Sequence, residues 1–282
     1  MSNQYRDEAN QILYTYTLKA YNVVIFARRH ILYLLGLFWK MQAKADSSEL
    51  NEINRLTHDF YSGNELLYKT VNETTGDTNR QLGDFINFLK KHRIEFKDGT
   101  ILDIGCGNGE RITTHTAQYL NETEVIGLDL DPPATVAKTY NNLCFIKADT
   151  ASIPIANNSV NLVSAHWSVL NDLVHRSQQM KTFSEIKRVL IPNGYLYFDV
   201  PVLEGLGGYE ALAKDYHLQD RKSLKGTVRV EFPGNRSKLF YIYPKSELTA
   251  LLQYHGFHVI SLENWQSRSG ARRLTVIALC IK

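Results

Sequence analysis

The rhythm of apolar and polar positions changes near residue 100. Before it, apolar residues recur at helical spacing through Tyr21 to Trp39, Ser48 to Tyr61 and, after the polar stretch Asn72 to Gly76, Thr78 to His92. Beyond Lys97-Asp98-Gly99, short apolar runs alternate with amphipathic stretches, the pattern of strands and helices following one another. Ile101, Leu102 and Ile104 predict a first strand, Gly105 to Gly109 a turn and Glu110 to Leu120 a helix. Val125 to Leu128 reads as the second strand. Asp131 then starts a helix, with Pro132 at the first helical position, where its missing N–H costs nothing. Leu143 to Ile146 and Val160 to Ala165 are the third and fourth strands. Ser177 to Leu190 is a helix ended by Ile191-Pro192-Asn193-Gly194, and Tyr195 to Val200 is the fifth strand. Pro244 to His255 is a helix stopped by Gly256, ahead of an edge hairpin formed by Phe257 to Leu262 and Leu274 to Cys280. The expectation is an α/β fold: a doubly wound, mostly parallel seven-stranded sheet with an N-terminal helical extension and an insert after strand five. Residues 1–96 form the extension and 97–282 the main domain. The insert, 201–243, carries its own hairpin, Thr227 to Phe232 and Leu239 to Tyr243, turned at Pro233-Gly234-Asn235.

The 282 residues, 44% hydrophobic and 22% charged, suffice for one large core with appendages and exclude a disulfide-stapled miniprotein or a disordered chain. Three scattered cysteines, Cys106, Cys144 and Cys280, form no CxxC pair and no metal-ligand spacing, so no metal site is expected and a reducing, cytoplasmic setting fits. Residues 1–10 are polar and charged, unlike a secretory leader. Charge is uneven: eight cations against fourteen acids in 100–220, but eleven against three in 221–282.

The most apolar segment, Tyr21 to Trp39, is interrupted by Arg28, Arg29 and His30, and its longest unbroken run, Ile31 to Trp39, is nine residues. A bilayer needs roughly 20, so no transmembrane span is expected. Residues 9–45 hold Lys19, Arg28, Arg29, Lys40 and Lys44 and no acid. Burial against the main domain, a homodimer contact, and peripheral contact with an anionic membrane surface are all consistent with this pattern.

The chemistry concentrates at the first turn. A GxGxxG dinucleotide turn would put its third glycine at Glu110, where a carboxylate opposes a pyrophosphate. The chain instead reads Asp103-Ile104-Gly105-Cys106-Gly107-Asn108-Gly109, with Asp129 closing the second strand. This acid followed by GxGxG resembles the class I S-adenosylmethionine-dependent methyltransferases. Lys147-Ala148-Asp149-Thr150, the loop from Ile153 to Asn161 and Ile191 to Leu196 resemble three further motifs of that family, in its order. The resemblance covers about residues 79–282 and implies a Rossmann-like fold whose cofactor is S-adenosyl-L-methionine. It implies that Gly105, Cys106, Gly107 and Gly109 line the methionine part and that Asp103 organises the turn. Asp129, beside Leu130, would accept the ribose hydroxyls, and Asp149 with Thr150 the adenine amino group.

A sulfonium methyl is already activated, so the protein has mainly to hold a nucleophile in line and exclude water. Strand four ends in Ser164-Ala165-His166-Trp167-Ser168, without the Asp/Asn-Pro-Pro-aromatic signature of exocyclic amine methylation. His166 is the candidate base, or else packs over the adenosine, and Trp167 a pocket wall. The insert, which the resemblance implies to be a substrate lid, interleaves Tyr209, Tyr216, Tyr241 and Tyr243 with Arg221, Lys222, Lys225, Arg229, Arg236 and Lys238. Tyr209 and Tyr241 are the substrate candidates there. The reading is methyl transfer to a small polar or anionic acceptor, its O, N or C atom unresolved. An RNA methyltransferase, or a catalytically silent regulatory or scaffold protein that binds the cofactor, are the alternatives.

Overall fold

A computed structural model describes residues 27, 31–37, 77–92, 99–133, 140–202, 227–232, 236–266 and 272–282. The helix expected over Ser48 to Tyr61, the one after Asp131, most of 9–45 and the part of the insert containing Tyr209 and Tyr216 lie outside them.

The elements run α1 (Asp77–Lys91), β1 (Thr100–Ile104), α2 (Thr113–Tyr119), β2 (Glu124–Asp129), β3 (Leu143–Lys147), β4 (Val160–Ala165), α3 (Arg176–Val189) and β5 (Leu190–Pro201). They continue with β6 (Thr227–Phe232), β7 (Arg236–Tyr241), α4 (Lys245–Tyr254), β8 (Phe257–Gln266) and β9 (Arg272–Cys280). A helical segment at residues 31–37 precedes them. The main sheet has the order β3-β2-β1-β4-β5-β9-β8. Pairings from β3 through β5 are parallel, while β9 is antiparallel to both β5 and β8. This is the doubly wound, mostly parallel seven-stranded sheet that the sequence predicts.

The strands carry buried Leu102, Ile104, Leu128, Val163, Leu196 and Val276 onto one large core shared with α3 and α4. A second cluster joins Phe85, Phe88 and Leu89 of α1 to Ile101, Leu162, Tyr197 and Ile277 of the sheet. The order of the strands reverses direction between β1 and β4, so the crevice beyond their C-terminal ends is where an open α/β sheet takes its ligand.

Four boundaries differ from the sequence pattern. α2 starts at Thr113 rather than Glu110, because the glycine turn runs on until the Thr114 amide and hydroxyl meet the Gly109 carbonyl at 2.9 and 2.8 Å. Ile191 to Gly194 is not a break before a separate strand but a bulge within β5. Val160 pairs with Leu190 and Leu162 with Tyr195, and Asn193 takes a left-handed φ of 61° inside the bulge. The last strand begins at Arg272, which brings Arg273 into register with Pro201 and Trp265. In the insert hairpin β7 runs from Arg236 to Tyr241 rather than from Leu239 to Tyr243.

Candidate active site

The turn after β1 is built by three glycines in the left-handed region, with φ of 67° at Gly105, 57° at Gly107 and 72° at Gly109. Space as well as conformation excludes a side chain at two of them. A Cβ on Gly105 would lie 2.5 Å from Val169, and one on Gly109 2.5 Å from Phe145. The Gly105 and Cys106 amides both donate to the Leu128 carbonyl, at 2.7 and 3.2 Å, which fastens the turn to the end of β2. Asp129 completes the clasp: its Oδ2 accepts the Gly107 amide at 2.8 Å and its Oδ1 the Asp131 amide at 3.0 Å. The Ala148 amide donates to the Asp129 carbonyl at 2.9 Å, drawing the loop after β3 to the same rim. There Asp149 is exposed and caps its own turn through the Ala151 amide at 2.8 Å.

Asp103 lies beneath the turn, buried, with Oδ2 accepting from Thr113 Oγ1 at 2.6 Å and Oδ1 from Ser164 Oγ at 2.9 Å. Burial pushes its carboxyl pKa up, against the pull of His166 and those two hydroxyls, and the Asp129 charge adds to the rise. The Cys106 thiol is held well above its ordinary range by burial and by both aspartates, which keeps it protonated and inert. A pocket with two acids in mutual repulsion favours a cationic ligand.

A second group of side chains lies across the tip of β4. His166 is 6% exposed, with the Phe85 ring edge-on at 5.0 Å and Tyr197 tilted at 5.5 Å. Its Nε2 is buried and has no hydrogen-bond partner among the described residues. Burial lowers its pKa despite Asp103 and Asp199, so the ring is neutral at pH 7. Trp167 and Ser168 follow with φ of 64° and 71°, a pair of left-handed non-glycine residues that costs on the order of 1–3 kcal/mol each.

Long-range bonds hold that turn. Asp199 in β5 accepts the Trp167 amide on Oδ1 at 2.7 Å, and its Oδ2 pairs with Arg273 Nε at 2.8 Å and with Nη2. Arg273 Nη2 also donates to Ser168 Oγ at 2.8 Å. The Arg273 guanidinium lies 5.0 Å from the Trp167 ring centre and 5.4 Å from that of Trp265. Arg111 stands 5.0 Å from Trp167, and Arg80 of α1 5.1 Å from Trp265. Arg80, Trp265, Arg273, Trp167 and Arg111 thus form an alternating cation–π ladder from α1 across the β8–β9 hairpin to the glycine turn.

A methyltransferase domain model matches residues 102–198, spanning the glycine turn through β5. Ubiquinone/menaquinone biosynthesis C-methyltransferase UbiE of Campylobacter jejuni is 27% identical over 175 residues, 60% of this chain and 70% of that protein. An uncharacterized methyltransferase of Schizosaccharomyces pombe is 32% identical over 113 residues, 36% of this chain and 39% of its own length. The chain carries a class I S-adenosylmethionine-dependent methyltransferase domain. Solved structures share its fold. A Methanosarcina mazei SAM-dependent methyltransferase superposes with a TM-score of 0.54 at 22% identity, covering 66% of this chain and 93% of its own. Burkholderia thailandensis 1,6-didemethyltoxoflavin-N1-methyltransferase, solved with 1,6-didemethyltoxoflavin and S-adenosylhomocysteine, superposes at 0.54 and 15% identity, covering 84% and 92%.

The methyltransferase fold brings together Asp103, Gly105, Cys106, Gly107, Gly109 and Asp129, with Asp149 on the adjoining rim. Leu130 is exposed beside Asp129, and the Thr150 hydroxyl turns to Thr182 of α3 at 3.1 Å. Tyr241 is placed elsewhere. It is fully buried, with its hydroxyl donating to Glu247 at 2.7 Å and lying 3.2 Å from Arg176, so its ring offers no surface to a substrate. Arg111, Asp199, Trp265 and Arg273 of the methyltransferase were not visible in the pattern. Asp199 and Arg273 meet across 74 positions, and only the out-of-place polar residues in two apolar strands marked them.

Proposed function

We propose that this methyltransferase transfers the methyl group to a small acceptor carrying a negative charge or a strongly polar group, and that the guanidinium ladder beside His166 carries that reading. Bound S-adenosylmethionine supplies a methyl already activated on a sulfonium. The residues fit such a cofactor. The Asp129 charge adds to the rise that burial gives the Asp103 pKa, so the pair of acids suits a cationic cofactor, and a carboxylate with two acceptor oxygens, as at Asp129, suits vicinal ribose hydroxyls. In this reading Gly105, Cys106, Gly107 and Gly109 line the methionine part, while Leu130, Asp149 and Thr150 border the adenine. α1 covers the acceptor side through Phe85, which packs edge-on against His166.

His166, neutral and with Nε2 unpaired in a buried site, is the group able to take a proton from the acceptor. Trp167 forms the wall. Its ring is already flanked by Arg111 and Arg273, so the acceptor is held by charge at the Arg111 end rather than by stacking on both faces. The quinone-type C-methylation named for the Campylobacter relative suits this site, since an ionised ring hydroxyl is both anionic and a source of carbon nucleophilicity.

Transfer of labelled methyl from S-adenosylmethionine into a lysate separated into RNA, protein, lipid and small-molecule fractions tests the reading, with Asp129→Ala as control. Label in an acidic small-molecule or lipid fraction, lost in the variant, is expected. Label confined to RNA or protein would overturn it.

A further inference from the structure

The helical segment at residues 31–37 is apolar on both sides, and the fold uses one of them. Leu35 packs against the main core, and Gly36 is buried so tightly on the ring of Tyr254 in α4 that no Cβ could be accommodated. The other side faces solvent. Ile31 is 57% exposed, Tyr33 60%, Leu34 52% and Leu37 42%. Ile31, Leu34 and Leu37 recur every third position, with Tyr33 one turn before Leu37, which sets all four on neighbouring rows of one face. Four large apolar side chains so grouped are a patch rather than scattered surface residues.

The charge of the flanking sequence selects what covers the patch. Lys19, Arg28, Arg29, Lys40 and Lys44 flank it in the chain, and no acid occurs from residue 9 to 45. A second copy of this segment would bring like charges together across the contact, whereas an anionic lipid surface offers apolar depth and opposite charge at once. We propose that this face docks the enzyme on the surface of an anionic phospholipid bilayer. The apolar run Ile31 to Trp39 lies in the interface rather than crossing it, since nine residues are far short of a span. The inner face, held on α4 through Gly36 and Tyr254, couples the docked segment to the body of the molecule. The proposal holds whichever acceptor the active site takes.

Co-sedimentation of the whole protein with vesicles of phosphatidylcholine alone, or of phosphatidylcholine with phosphatidylglycerol at three to one, tests it. Binding to the anionic vesicles is expected to exceed binding to the neutral ones by about tenfold or more, and to weaken as salt is raised. Leu34→Glu with Leu37→Glu, both on the exposed face, should lower it about tenfold while affinity for S-adenosylhomocysteine stays unchanged. Three results would overturn the proposal: no binding by the unaltered protein, equal binding to both vesicles, or unchanged binding of the double variant. A dimer in sedimentation velocity that the same substitutions convert to monomer would assign the face to a second copy instead.

Discussion

The two ends of the proposed active site are built in opposite ways. At the cofactor end most partners are close in sequence: Asp103 meets Thr113 ten residues on and Asp129 meets the Gly107 amide 22 residues back, with Ser164 of β4 a more distant partner of Asp103. At the acceptor end they are remote, Arg273 reaching Asp199 across 74 residues and Ser168 across 105. The cofactor end is a strand, a turn and the next strand, so its chemistry is fixed by local backbone conformation. The acceptor end exists only after the antiparallel hairpin β8–β9 has closed the sheet and set Arg273 beside β5. One end can therefore fail while the other still binds, and this supplies sharp tests.

The largest effect is expected from Asp199→Asn, which leaves the Arg273 guanidinium buried without its carboxylate. The loss should be about 3–5 kcal/mol, read by denaturant unfolding. Replacing both partners, Asp199→Leu with Arg273→Met, should recover most of that stability yet leave methyl transfer slow, because nothing then holds the left-handed turn at Trp167 and Ser168. Full activity in the double variant would remove the ladder from the mechanism.

Next comes His166→Gln, expected to lower kcat by about a hundredfold or more with little change in cofactor affinity. Because burial depresses the His166 pKa, the unaltered enzyme should lose its base only below pH 6.5, and that acidic limb should vanish from the variant's pH profile. An acidic limb above pH 6.5, or one that persists in the variant, would assign the base elsewhere.

His255 gives a contribution belonging to the scaffold shared by both ends. Its ring stacks on Phe183 at 5.8 Å, and burial and Lys187 push its pKa down to about 4. The unfolded chain takes up this proton below about pH 6.5, the folded chain only near 4, so the stabilisation is complete above 6.5 and is lost as pH falls. It should amount to about 3 kcal/mol, measurable as a loss of stability between those pH values that His255→Gln removes. The smallest effect is expected at the rim. Arg111→Gln should raise KM for an anionic acceptor by about fivefold and leave cofactor binding untouched. A change in cofactor affinity instead would place Arg111 at the other end of the site.

The same contrast explains what the sequence revealed. Gly105, Gly107 and Gly109 stand out because all three take a left-handed φ, and a Cβ at Gly105 or Gly109 would also meet Val169 or Phe145, a demand that a local pattern exposes. The seven strands were legible for the same reason, each a short apolar run bounded by turn residues. The bulge at Ile191 to Gly194 was not, since proline, asparagine and glycine mark a turn whether or not a strand resumes pairing beyond it. Tyr241 looked like a surface aromatic in a basic insert, yet its ring and hydroxyl complete a buried group with Arg176 and Glu247 from two helices. Such pairings depend on which strands become neighbours, and spacing along one chain does not carry that information.

Titration of S-adenosylhomocysteine into the unaltered protein, Asp129→Ala and Asp199→Asn, followed by calorimetry at a temperature where all three are folded, tests the division most directly. If the two ends are independent, Asp129→Ala weakens binding by about a hundredfold, the loss of hydrogen bonds to a charged group, while Asp199→Asn binds within about threefold of the unaltered protein. Tight binding by Asp129→Ala, or equal loss in both variants, would contradict it.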